Sequence, residues 1–188
     1  MKTPDEILGT IDQTFLKPPG TRQDLEEFLT AASAHPFASV CVFPDAVPAA
    51  VQLLKDWQIP VCTVSGFPTG AHTTESKVFE TVWSIENGAS EIDMVMNIGE
   101  ARSGNWNLVR QDIAAVAAVC RDSGVLCKVI IETCYLSQHG KEEACRAVMD
   151  GGADFVKTST GFGPSGADPG DVALLSRITG GSGVRVKA

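Results

Sequence analysis

Short apolar runs rich in β-branched residues recur along the chain, separated by longer stretches with helical spacing. The runs lie near residues 10–16, 38–43, 60–66, 91–97, 126–133, 153–159 and 184–188, and each predicts a strand. The stretches between them have legible ends. Thr21 with Asp24 forms a candidate capping box ahead of Leu25, Phe28, Leu29 and Ala32, which share one face. Val78, Val82 and Ile85 make a stripe that stops at Gly88, and Val109, Ile113, Val116 and Cys120 make another that stops at Gly124. Asp168, then Pro169, then Asp171 predicts a helix start at 168, with an N-cap, a proline in the first turn and a carboxylate near the positive helix end.

Strict alternation of strand and helix implies a parallel sheet with right-handed crossovers. Such a sheet is either open and doubly wound or closed as a barrel. No G-x-G-x-x-G follows the first strand and no phosphate-binding P-loop motif is present, which weakens the open nucleotide-binding alternative. Strand composition favours closure. Central strands of an open parallel sheet are covered on both faces and read as continuous apolar runs. In Glu91–Asn97, by contrast, Ile92, Met94 and Met96 share one face, while Glu91, Asp93 and Asn97 share the other with Val95. Lys128 and Glu132 likewise share one face of their strand. Charges on the face away from the helices suit a barrel with a polar interior mouth, so the expected fold is a TIM-type (β/α)8 barrel forming one domain over residues 1–188. Only seven strands can be counted. A full barrel runs to about 250 residues, so a seventh helix, an eighth strand and an eighth helix are expected beyond Ala188.

Composition narrows the partners. With 15 basic against 23 acidic side chains and a formal charge of −8, a nucleic-acid or anionic-membrane surface is not expected. A phosphorylated substrate remains open, since backbone N–H groups bind phosphate without net basic charge. The six cysteines include no C-x-x-C pair and no histidine at metal-ligand spacing. Most sit within apolar runs, which points to buried reduced thiols. With no apolar leader-like run at Met1–Glu6 and no membrane-length apolar stretch, a cytoplasmic protein is expected.

Lys157 lies close to the centre of an apolar strand candidate, in Ala153-Asp154-Phe155-Val156-Lys157-Thr158-Ser159. Desolvation would disfavour its ammonium form and lower its pKa, as an amine nucleophile requires. The alternative is a lysine neutralised by an interior carboxylate such as Glu132. Lys187 occupies the next strand, and with adjacent strands about 4.8 Å apart the two lysines would be neighbours that lower one another's pKa. Lys187 could equally just neutralise an interior acid. Asp93 lies five residues after Gly88, as Lys157 lies five after Gly152, so the two side chains should sit at comparable strand positions and point the same way. There Asp93 would be either a proton carrier or a counter-ion. Thr158–Gly163 adds hydroxyls and glycines at the strand end where barrel active sites form.

Seven segments then resemble the deoxyribose-phosphate aldolase family, in the family's order from Ile11 to Ala188: Ile11–Pro18, Val40–Pro44, Thr63–Gly70, Glu91–Val95, Lys128–Thr133, the Lys157 segment and Val186–Ala188. The resemblance implies a class I (Schiff-base) aldolase that reversibly cleaves 2-deoxy-D-ribose 5-phosphate to acetaldehyde and D-glyceraldehyde 3-phosphate. By position, Lys157 matches the Schiff-base lysine, Lys187 the second lysine that tunes it and Asp93 the acid/base aspartate. Asp12 and Thr160 fall where the family contacts substrate, and Cys41 falls in its pocket wall. Neither metal nor organic cofactor is implied, because a protonated imine serves as the electron sink. The sequence departs from the family after Lys187, where the glycine pair and the small-residue loop that hold the phosphate are not found. The competing expectation is a catalytically silent barrel acting as an oligomeric or partner-binding protein. A weaker third option, a phosphosugar isomerase or epimerase, would not need paired lysines.

Overall fold

The computed structural model describes residues 2–18 and 20–188. After a short helix α1 (Pro4–Leu8), β1 (Asp12–Phe15), β2 (Ser39–Val42), β3 (Val61–Ser65), β4 (Glu91–Val95), β5 (Leu126–Ile130), β6 (Phe155–Lys157) and β7 (Arg185–Lys187) follow one another. They form a single parallel sheet in sequence order. The returns are α2 (Arg22–Ala32), α3 (Val47–Leu54), α4 (Thr74–Glu86), α5 (Ile98–Arg102) with α6 (Trp106–Asp122), α7 (Gln138–Gly151) and α8 (Pro169–Thr179). All seven expected strands are present, each shorter than its apolar run. The trimmed residues continue into the loops that carry the chemistry.

The helix boundaries follow the signals in the sequence. The Thr21 side chain accepts from the Asp24 N–H while the Asp24 carboxylate accepts from the Thr21 N–H, a reciprocal capping box. Asp168 accepts from the N–H groups of Gly170 and Asp171 and starts α8 at Pro169. Gly152 ends α7 in the left-handed region, with φ 77°.

Two apolar clusters separate the faces of the sheet. The larger lies between strands and helices and joins Leu29, Val40, Ile92, Met94, Ile113, Val129, Val156 and Leu175. The smaller lies inside the curl, where Cys41, Cys62 and Val64 meet Leu16, Phe43 and Phe67. Helix α4 differs from expectation. Its deepest line is polar, with Lys77, Thr81 and Ser84 buried, whereas Val78, Val82 and Ile85 are only half-buried. The Lys77 ammonium donates to Asp112 of α6 at 2.5 Å and to the Val95 carbonyl at 2.9 Å, so this polar line fastens α4 to α6 and to the end of β4. Nearby, Gly70 has φ +69°, and a Cβ there would come within 1.8 Å of the Met96 carbonyl oxygen, so only glycine lets the β3–α4 loop close over β4.

The first and last strands of the sheet are not paired with each other, yet the sheet curls far enough for Lys187 on β7 to donate to Thr10 O at 3.0 Å and to reach Asp12 Oδ1 at 2.7 Å. No described helix is long and apolar enough to cross a membrane.

Candidate active site

The strand register brings the inward residues together. Asp93 is opposite Lys128, and Lys157 is opposite both Ile130 and Lys187. Because side chains alternate along a strand, these inward positions meet inside the curl. Three carboxylates and three ammonium groups result, connected in one network. Lys187 pairs with Asp12 at 2.7 Å, and Asp12 also lies 3.5 Å from Lys128. Lys128 contacts Glu91 at 2.5 Å and Asp93 at 2.8 Å, and the second oxygen of Asp93 takes Lys157. With charges balanced three to three, each buried ion has a partner, without which its desolvation would be prohibitive.

These contacts identify the carboxylate partner of Lys157. Its carboxylate partner is Asp93, whereas Glu132 is occupied by Thr160. The equal offsets from Gly88 and Gly152 do place Asp93 and Lys157 on the same side of the sheet, in direct contact. The expected fall in the Lys157 pKa is not found. Burial pushes it down, but the charge of Asp93, with smaller contributions from the sulfurs of Cys62 and Cys41, holds the ammonium above the usual lysine range. For Asp93, burial would raise the pKa, yet Lys157 and Lys128 together hold it below the usual carboxylate range. Lys128 is held up as well: the Cys62 sulfur and the Asp93, Glu91 and Asp12 carboxylates outweigh its burial. The resting state is therefore a charged pair in direct contact.

A cavity of about 370 Å³ opens at the C-terminal ends of the strands, with Asp12, Thr14, Lys157, Thr160 and Lys187 in its lining. Asp93 is fully buried and lies beneath the ammonium of Lys157. Cys41 does not face the opening: it is packed below with Cys62 and Val64. A row of aromatic rings crosses the mouth, with Phe43 and Phe67 at 6.2 Å and Phe67 and Phe162 at 5.2 Å between centroids. Phe162 and Thr160 also line a neighbouring cavity of about 260 Å³.

From sequence, Lys128 and Glu132 carry only a shared inward face, with Glu132 also a possible partner for Lys157, and the contacts they make in the structure are not predicted. Their shared parity on an inward face was the available signal. It gives the face but not the partner, which depends on the height of neighbouring strands. All six cysteines are free thiols, and five are buried. Among the described residues, the trio Cys41, Cys62 and Asp93 is the one group of potential ligands close enough for a metal ion, with donor atoms within 4.8 Å of one another. Two ammonium groups already hold Asp93, and burial pushes the Cys62 thiol well up, so this trio is poorly suited to a cation.

The model of the DeoC/LacD family aldolases matches residues 7–188. The deoxyribose-phosphate aldolase of Thermoanaerobacter pseudethanolicus is 48% identical over 183 residues, which covers 97% of this chain and 82% of that protein. A crystal structure of a putative deoxyribose-phosphate aldolase from Coccidioides immitis superimposes with TM-score 0.93 at 40% identity, over 97% of this chain and 72% of that one. The deoxyribose phosphate aldolase of Aeropyrum pernix, described as a unique tetrameric structure, superimposes with TM-score 0.91 at 28% identity, over 99% and 78%. The curled seven-stranded sheet is thus a TIM-type α/β fold.

Proposed function

The chain belongs to the DeoC/LacD family of aldolases, and from that premise we propose that it is a class I aldolase reversibly cleaving 2-deoxy-D-ribose 5-phosphate to acetaldehyde and D-glyceraldehyde 3-phosphate. The observation that carries this reading is a lysine at the opening of a strand-end cavity with a buried carboxylate beneath it. Curated relatives carrying the deoxyribose-phosphate aldolase name support it.

In this reading Lys157 gives up a proton to Asp93, and its free amine attacks the C1 aldehyde of the open-chain sugar. Loss of water leaves a protonated imine. Deprotonation of the C3 hydroxyl breaks the C2–C3 bond, and the bonding electron pair moves into the imine to give an enamine while glyceraldehyde 3-phosphate departs. Protonation at C2 and hydrolysis then release acetaldehyde and restore the lysine. Asp93 supplies and recovers protons, and Lys128 favours its return to the carboxylate after each transfer. Lys187 holds Asp12 at the cavity rim, where Asp12 and Thr160 meet the substrate hydroxyls and Cys41 supports the floor from below. Self-association belongs to the proposal as well, on the example of the Aeropyrum pernix relative.

The test is to mix the protein with acetaldehyde, reduce with borohydride and map the adduct by peptide mass spectrometry. An ethyl adduct confined to the Lys157 peptide and insensitive to EDTA is expected. Adducts scattered over surface lysines, or none at all, would sink the reading.

A further inference from the structure

Glu132 follows β5 in an unusual conformation. Its φ of 48° and ψ of 70° lie in the left-handed region, which side chains other than glycine, asparagine and aspartate rarely enter. Its side chain is buried and turned toward the loop after Lys157. There the carboxylate accepts the Thr160 N–H at 3.2 Å, and it also accepts the Thr160 hydroxyl. Thr160 Oγ1 in turn accepts the Phe162 N–H at 3.0 Å. The neighbouring Thr133 N–H donates to Thr158 O at 2.9 Å, so the two strand-end loops are fastened on both sides of this contact. The fit leaves no spare room: a Cβ on Gly163 would stand 2.8 Å from Cys134 Sγ and 3.3 Å from Glu132 Oε1.

The hydrogen bonds fix a polarity. An ionised carboxylate can only accept, so the hydroxyl proton of Thr160 is committed to Glu132. One oxygen lone pair is used by Phe162, and the other remains for the cavity that Thr160 lines. A group arriving there meets an acceptor and must itself donate. A substrate hydroxyl can do so; a phosphate dianion cannot.

We propose that Glu132 is a positioning residue that holds the Thr160 hydroxyl as an acceptor for a hydroxyl on the aldehyde product half of the substrate. The inference rests on the aldolase reading and adds to it the means by which a hydroxylated aldehyde is told from one without the hydroxyl. The stored backbone conformation at Glu132 is what aims the carboxylate at Thr160 instead of into the lysine network.

The test measures condensation of acetaldehyde with D-glyceraldehyde 3-phosphate and with 3-oxopropyl phosphate, which is the same acceptor without its 2-hydroxyl. The ratio of kcat/KM for the two acceptors is compared in the parent chain, Glu132→Gln, Thr160→Val and the double variant. Loss of one oriented hydrogen bond should lower the ratio about tenfold in each single variant, with no further fall in the double. Thr160→Ser should keep the parent ratio. Borohydride trapping of acetaldehyde should continue at Lys157 in every variant, because acetaldehyde has no hydroxyl to meet Thr160. An unchanged ratio in Thr160→Val overturns the proposal however the Glu132 variants fold. Equal losses for both acceptors would do the same, since they would make Glu132 structural only. A parent chain that traps no imine overturns the aldolase reading, and this role with it.

Discussion

Lys77 is buried and Lys157 half-buried, each in contact with one carboxylate, yet their surroundings push them in opposite directions. Lys77, between α4 and α6, is held below the ordinary lysine pKa by burial, which Asp112 only partly offsets. Lys157, inside the curl, is held above it by Asp93 despite its burial. If a depressed pKa were the mark of a nucleophile, Lys77 would be chosen. But Lys77 is wholly enclosed and its donors go to Asp112 and the Val95 carbonyl, whereas Lys157 borders a cavity. Both have a carboxylate in contact, so access to a cavity is what separates them, and on the proposed reading it selects Lys157 as the reactive lysine. The pH dependence should differ in sign. Lys77 lowers stability while protonated in the fold, so its contribution improves as pH rises through its depressed folded pKa. The Lys157–Asp93 pair stabilises from about pH 4 upward and is lost as pH falls through the depressed folded pKa of Asp93. It is full up to about pH 10.4 and is lost progressively as pH rises from there through the raised folded pKa of Lys157.

The largest expected effect comes from Lys157→Ala, which should lower turnover by about 10⁴-fold or more and abolish imine trapping in protein that remains folded. Trapping that survives this change would move the nucleophile elsewhere. Asp112→Ala should act on the other side of the comparison. By stranding the Lys77 ammonium it should cost about 3–5 kcal/mol of stability, read by denaturant unfolding, yet leave the adduct at Lys157 in protein that remains folded. If both properties fell together, the two lysines would not be separable.

Asp93→Asn sharpens the contrast within the site. Removing the carboxylate leaves burial and Lys128 acting on Lys157, so its pKa should fall. The pH profile of imine trapping should then move at least about one unit toward acid, even as full turnover drops for want of the proton carrier. A profile that stays in place would show that Asp93 does not control Lys157. The smallest effect belongs to a feature remote from both lysines. Thr21→Ala opens the α2 capping box and should cost about 1 kcal/mol, a shift of a few degrees in Tm, with trapping unchanged.

Much of the fold was legible from periodicity. Alternation placed seven strands, and charge on one face of residues 91–97 and 128–132 predicted a polar interior, since a side chain two residues along returns to the same face. What periodicity does not carry is relative strand height. Glu132 and Asp93 both share the inward parity of Lys157's neighbours, and only the stagger of adjacent strands, together with the left-handed turn at Glu132, decides which one reaches the lysine. The buried line of helix α4 was not legible for a related reason. Its apolar stripe was visible, but Lys77 could become the innermost residue only because Asp112, on a different helix, was there to receive it. The Lys157 pKa was misread because burial is visible in an apolar run and a partner 64 positions away is not.

The bridge from Lys187 to Thr10 and Asp12 spans 177 positions of sequence. Closing so large a loop is entropically late work for a folding chain, because shorter-range strand and helix contacts accumulate first. The rim of the cavity is therefore completed by one of the most topologically distant contacts in the molecule. A nascent or partly unravelled chain can hold most of its helices and still lack this bridge, so competence to bind an aldehyde doubles as a sign that β1 and β7 have been brought together.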